Sequence, residues 1–190
     1  MDEVIKVSGP NDQKEKVKFS GLFDVVSIIV TAIVIVAIAF IFFIRTVGVS
    51  GSSMYPTLHD GDRILLSAFA KPQNGDIVVT CQPAKVDYIE PTLVKRVIAL
   101  GGQTVDIDFS EGIVYVDGVA LEDAYVNEKT YTPEDFDGPI TVPEGYVFVM
   151  GDNRNASTDS RDARVGLIRE EYILGRALIR VAPFGQFKIG

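Results

Sequence analysis

Residues 25–44 read VVSIIVTAIVIVAIAFIFFI, twenty positions without a charge. At about 1.5 Å of rise per residue, a helix of that length covers about 30 Å, the hydrocarbon thickness of a bilayer. A secretory leader has a shorter apolar region that closes on small residues. This run closes on IFFIRTV instead. A helix buried in a globular core would need similar helices around it, and the sequence holds no second run of this kind. The run therefore reads as a transmembrane helix. Lys6, Lys14, Lys16 and Lys18 precede it, whereas only Arg45 and Arg63 follow closely. Positive charge favours the cytoplasmic side, which gives a single-pass protein of the cell membrane: 1–24 cytoplasmic, 25–44 spanning, 45–190 extracytoplasmic.

The part beyond the span is long enough for one sizeable core. The net charge of −8 and the lack of a basic stripe argue against nucleic acid as a partner. A single cysteine, Cys81, allows no intrachain disulfide. With one histidine, His59, it also makes a structural metal site a poor expectation, so neither metal nor cofactor is expected. The texture after 45 is short β-type runs between turn residues. DRILLSAFA leads into the turn KPQNGD, IVVTC and TLVKRVIAL follow, and TVDIDF and IVYVDG flank SEG as a hairpin. Positions 121–143, rich in acids, Tyr and Pro, read as a surface excursion; GYVFVMGDN and REEYILGRALIRVAP supply further strands. The expected fold is mainly β, an antiparallel barrel-like domain after one N-terminal transmembrane helix.

The stretch SGSSMYPT places Ser50, Ser52 and Ser53 just beyond the span. A serine becomes a nucleophile only when a base takes its proton. His59, in TLHDGD, has the surroundings of a solvated turn, and Cys81, after IVVT, those of a small packed residue. Lysine acts as a base only where burial lowers its pKa. Lys71, Lys85, Lys129 and Lys188 have turn, Pro or terminal surroundings, whereas Lys95 shares a strand face with Leu93, Val97 and Ala99. On this segment alone, a buried base and a snorkelling edge lysine are equally good readings.

Four segments, in order, resemble the type I signal peptidases, membrane-anchored serine–lysine proteases. SGSSMYPTL is similar to the nucleophile segment, GDIVV (75–79) to a structural one, LVKRVIALGG to the base segment and GDNRNASTDSR (151–161) to the last. The resemblance implies Ser53 as nucleophile, Lys95 as base and Ser157 as the hydroxyl that orients Lys95. It further implies a structural ion pair between Asp159 and Arg161. Lysine rather than histidine at 95, one span and a compact domain resemble the bacterial, Gram-positive-like form. Gram-negative relatives carry an oxyanion-binding serine two residues before the nucleophile; here Gly51 stands in that place, which leaves backbone donors, chiefly the Ser53 N–H. The implied substrates are signal peptides of exported preproteins, cut after small residues of Ala-X-Ala type.

Three other readings compete. A self-cleaving repressor shares serine–lysine chemistry but carries a DNA-binding domain and no span. An inactive membrane-tethered β binding domain would have no reason to keep Ser53, Lys95 and Ser157 together. A sortase-like transpeptidase would need Cys81 and His59 in places where neither is well set.

Overall fold

The computed structural model describes residues 10–69, 71–81 and 92–183. Two compact units divide the chain, Met1–Phe42 and Phe43–Gly190.

The first unit consists of helix α1, Pro10–Phe43. From 23 to 38 its described side chains are exposed, Phe23 at 70% and Ile28 at 68% among them. Among the described residues no helix is long and apolar enough to cross a membrane. The expected span over 25–44 includes side chains 39–44, which lie outside the described residues, as does the backbone of 1–9 in the expected cytoplasmic segment.

Among the described residues the second unit holds eleven strands in two sheets. They are β1 (Ile44–Gly48), β2 (Arg63–Ser67), β3 (Ile77–Cys81), β4 (Thr92–Leu100), β5 (Thr104–Asp108), β6 (Ile113–Val116), β7 (Val119–Ala120), β8 (Ile140–Thr141), β9 (Tyr146–Met150), β10 (Ile168–Arg169) and β11 (Ile173–Ala182). The larger sheet runs β1-β2-β11-β3-β4-β9-β10 and the smaller β7-β6-β5-β8. Every described pairing is antiparallel. Among the described residues the expected barrel is not closed: both sheets are open, with β1 and the two-residue β10 at the edges of the larger one.

Strand burial follows from which faces are covered. Ile77 and Val79 of β3 pack with Val49, Met54, Leu58, Ile64 and Leu66, while Val78 packs on the opposite side with Val97, Val147 and Val149. A strand covered on both faces reads as a continuous apolar run, which is what IVVT is. On β9, Val147 and Val149 enter that second cluster. Phe148 and Met150 point the other way, toward Val105, Ile107, Val114 and Val116 of the small sheet. The period of two thus lets β9 join two cores.

The excursion 121–143 is less superficial than its composition implies. Thr130, Phe136 and Val142 are buried, and β8 extends the small sheet by pairing with β5. Phe136 meets Phe148 and Phe109 edge to face, at centroid distances of 6.0 and 5.9 Å. An acidic, Pro-rich stretch can hold one core aromatic without any periodic signal in the sequence.

Candidate active site

Strand β4 carries Lys95 in the middle of the larger sheet, opposite Val78 of β3. By alternation it shares a face with Leu93 and Val97, both of which pack in the cluster around Val78. Lys95 is 3% exposed, and its Nζ donates to Ser53 Oγ at 2.7 Å. Burial lowers the lysine pKa from its ordinary 10.5 to about 8. The Asp159 carboxylate opposes that shift, the Arg161 guanidinium adds to it, and Asp152 opposes it more weakly. A cavity of about 160 Å³ opens beside the pair, lined by Val49, Ser50, Ser53, Met54, Leu93 and Lys95 among others.

Ser53 sits in the turn between β1 and β2. Met54 and Leu58 anchor that turn in the core, and the Leu58 N–H donates to the Met54 carbonyl at 2.8 Å. Gly51 adopts φ +84°, open to glycine at little cost, and its N–H donates to Asp60 Oδ1 at 2.8 Å. The other end of the turn is held by a buried ion pair, Arg180 Nη1 to Asp62 Oδ2 at 2.7 Å.

The loop after β9 closes against the backbone of Ser52 and Ser53. Gly151 is required there by space: a Cβ would lie 2.3 Å from Ser157 Oγ and 2.4 Å from the Ser53 carbonyl oxygen. Asp159 and Arg161 form a buried two-point pair, with Arg161 Nε and Nη2 each 2.9 Å from a carboxylate oxygen. Asp159 also accepts the Gly151 N–H at 3.0 Å, so the pair shapes the loop directly. Ser157 is buried, but its Oγ has no hydrogen-bond partner. The bond to Lys95 expected from the sequence is therefore not made in this structure.

The excluded candidates lie elsewhere. His59 is half exposed, edge-on to Tyr55 and 4.0 Å from Asp62. Cys81 is exposed at the end of β3, which corrects its expected packing as a small core residue. Lys85 and Lys188 lie outside the described residues. Among the described residues no group of His, Cys, Asp or Glu is placed to hold a metal ion.

One cluster has no counterpart among the sequence expectations. Arg96, next to Lys95, donates to Asp152 from Nε at 2.8 Å and Nη2 at 2.7 Å, and to the Gly75 carbonyl at 2.7 Å. Tyr125 covers the guanidinium, 3.9 Å from its ring centroid, and Thr57 Oγ1 donates to Asp152 Oδ2 at 2.5 Å. A usable signal was present: a second cation inside an apolar strand must find a buried anion, and GDN follows the neighbouring apolar run.

The family model for signal peptidase, peptidase S26, matches residues 22–182. The chain is 40% identical over 148 residues to "Probable signal peptidase I-1" of Synechocystis sp., covering 73% of this chain and 71% of that protein. It is 34% identical over 190 residues to signal peptidase I of Bacillus licheniformis, covering 93% and 97%. A crystal structure of a signal peptidase I from Enterococcus faecalis V583 is 33% identical and covers 56% of this chain and 97% of that one, with a TM-score of 0.45. The chain belongs to the signal peptidase family, peptidase S26, hydrolases that cleave signal peptides from preproteins.

Two outcomes test this geometry. Between pH 8 and 10.5 the unfolded chain holds a proton on Lys95 that the folded chain has released, so stability rises with pH across that window. Below it both states carry the proton and the burial penalty is complete, so Lys95→Met should stabilise the domain by about 3 kcal/mol at pH 7. In denaturant titrations that gain should shrink toward pH 10.5. Gly151→Ala should lower both stability and turnover, because its Cβ meets the Ser53 carbonyl, which is backbone and cannot swing aside.

Proposed function

We propose that the chain is a membrane-anchored serine endopeptidase in which Ser53 and Lys95 form the reacting pair. The observation that carries this reading is the 2.7 Å contact between Ser53 Oγ and an amine whose pKa burial lowers to about 8. Neutral Lys95 takes the hydroxyl proton as Oγ bonds to the carbonyl carbon of the scissile peptide. The carbonyl π pair moves to oxygen, and the Ser53 N–H stabilises that charge; Gly51 has no hydroxyl to offer, and its N–H is engaged by Asp60. On collapse the C–N bond breaks and Lys95 returns its proton to the leaving amine. Water then attacks the acyl group by the same base route and frees Ser53.

Ser157 has the supporting role. Its unpartnered hydroxyl is costly where it is buried, and bonding the Lys95 amine would relieve that cost while aiming the lone pair at Ser53. The Asp159–Arg161 pair shapes the loop that brings Ser157 there.

The cavity supports the substrate reading. It lies between the residues that follow β1 and the start of β4, with walls from Val49, Met54, Leu93 and Val94. An extended peptide laid along these strands would direct alternate side chains into one small space with apolar walls beside the Ser53 and Lys95 side chains. Small residues at the first and third positions before the cut fit it, and large ones are excluded by steric clash.

The exposed apolar side chains of α1 from 23 to 38 support membrane anchoring, because a contiguous apolar surface of this length is stable against lipid and not against water. With positive charge preceding the run, the catalytic domain lies outside the cytoplasm and shares the bilayer with its substrates.

Activity of the detergent-solubilised chain on a preprotein tests the mechanism. Ser53→Ala, Lys95→Ala and Lys95→Arg should each be inactive, the last because guanidinium stays protonated. Wild-type kcat/KM should fall as pH drops through about 8. Activity in Lys95→Arg, or a flat profile from about pH 6 to 9, rejects Lys95 as the base. Specificity and anchoring have their own assay: Phe in place of Ala just before the cut should stop processing. Removing 1–44 should slow cleavage of membrane-bound preproteins far more than of short soluble peptides, since co-anchoring raises effective concentration.

A further inference from the structure

Asn153 occupies the cap position of the short 3-10 turn Arg154–Ala156, where an asparagine side chain usually accepts a hydrogen bond from the turn's own N–H groups. It makes no such bond. Its amide nitrogen instead donates to the Ser52 carbonyl at 3.1 Å, 101 residues back along the chain. Its backbone N–H donates to the Ser53 carbonyl at 3.0 Å. One residue therefore holds two consecutive carbonyls of the nucleophile turn.

The first of those bonds has a geometric consequence. The Ser52 carbonyl and the Ser53 N–H belong to one planar trans peptide and point in opposite directions. Fixing the direction of the carbonyl fixes that of the N–H. The Ser52 carbonyl also accepts the Tyr55 N–H at 3.1 Å, a local turn bond. Gly51 with positive φ lies just upstream, where the backbone is most permissive. Asn153 adds a side-chain hold that ties this peptide to the loop after β9.

We infer that Asn153 is a positioning residue for catalysis: by gripping the Ser52 carbonyl it holds the 52–53 peptide so that the Ser53 N–H faces the developing oxyanion. This rests on the Ser53–Lys95 reading and adds a part to it. Asp152, one residue earlier, binds both Thr57 and Arg96. The dipeptide thereby joins the nucleophile turn to the strand carrying the lysine.

Asparagine and aspartate separate this role from a merely structural one. Aspartate has the same shape and is as good a cap, so a structural role predicts that Asn153→Asp is tolerated. The positioning role predicts the reverse, because a carboxylate oxygen facing the Ser52 carbonyl repels it and favours the rotated peptide. The test uses the detergent-solubilised full chain and measures preprotein kcat and KM. It also measures affinity for a peptide aldehyde, which Ser53 Oγ attacks to give a tetrahedral oxyanion, and for the matching carboxylate product peptide.

Asn153→Ala should lower kcat and aldehyde affinity about tenfold, and Asn153→Asp about a hundredfold, in parallel. KM and product-peptide affinity should stay within about twofold of wild type. The melting temperature of Asn153→Asp should be no lower than that of Asn153→Ala. Wild-type kcat and aldehyde affinity in Asn153→Asp overturn the proposal, as does an equal loss of product-peptide binding. If the aspartate variant does not fold, a wild-type kcat in Asn153→Ala overturns it equally. Ser53→Ala and Lys95→Ala run alongside: turnover by either refutes the reacting pair itself, whereas two inactive controls beside an unaffected Asn153→Asp refute only the positioning role.

Discussion

The burial of one amine, that of Lys95, sets the terms for everything packed around it. Lys95 lies mid-strand, with β3 on one side and β9 on the other. Its neighbours Leu93 and Val97 belong to a packed apolar cluster. At an edge strand the same side chain would extend its amine into water and keep its charge. Central placement, rather than any one contact, lowers the pKa to about 8.

Burial is opposed by the carboxylates nearby. Asp159 and Asp152 both favour the ammonium form of Lys95. Each is bound at two points by an arginine, Arg161 and Arg96 respectively. Arg161 itself disfavours the ammonium, so the Asp159–Arg161 pair acts on Lys95 more nearly as a dipole than as an anion. The arginines thus do more than brace the loop. They allow a polar, tightly shaped segment to lie beside the lysine without restoring its charge, and a neutral hydroxyl such as Ser157 adds none.

The strands were largely legible in the sequence because each leaves a local signal, whereas Ser53 and Lys95 were singled out by the resemblance. IVVTC and TLVKRVIAL are apolar runs with the lengths of covered strands, and Lys95 is the lysine inside such a run. The signals failed where pairing is long-range or elements are short. β7, β8 and β10 have two residues each, too few for any periodicity. Arg180 and Asp62 are 118 residues apart, and nothing local announces their buried pair. Barrel closure was inferred from strand density, but closure depends on edge pairing, which short strands do not encode. The Ser157 hydroxyl was placed by resemblance, and its rotation depends on a geometry that no sequence pattern specifies.

Those long-range contacts are also what hold a serine and a lysine 42 positions apart within hydrogen-bond reach. The nucleophile turn is clamped at three points that come from different parts of the chain. Arg180 of β11 holds Asp62, Asp152 holds Thr57, and Asn153 holds the carbonyls of Ser52 and Ser53. On the other partner, Asp152 holds Arg96, whose neighbour is Lys95, and the β3–β4 register sets that lysine opposite Val78. A hydrogen bond across 2.7 Å weakens steeply with displacement, so each clamp removes a separate freedom: the end of the turn, its middle, and the tilt of one peptide plane. Removing a clamp leaves Ser53 and Lys95 in place chemically but widens the range of positions they sample. On the proposed Ser53–Lys95 reading, reactivity depends on residues that never touch the scissile bond.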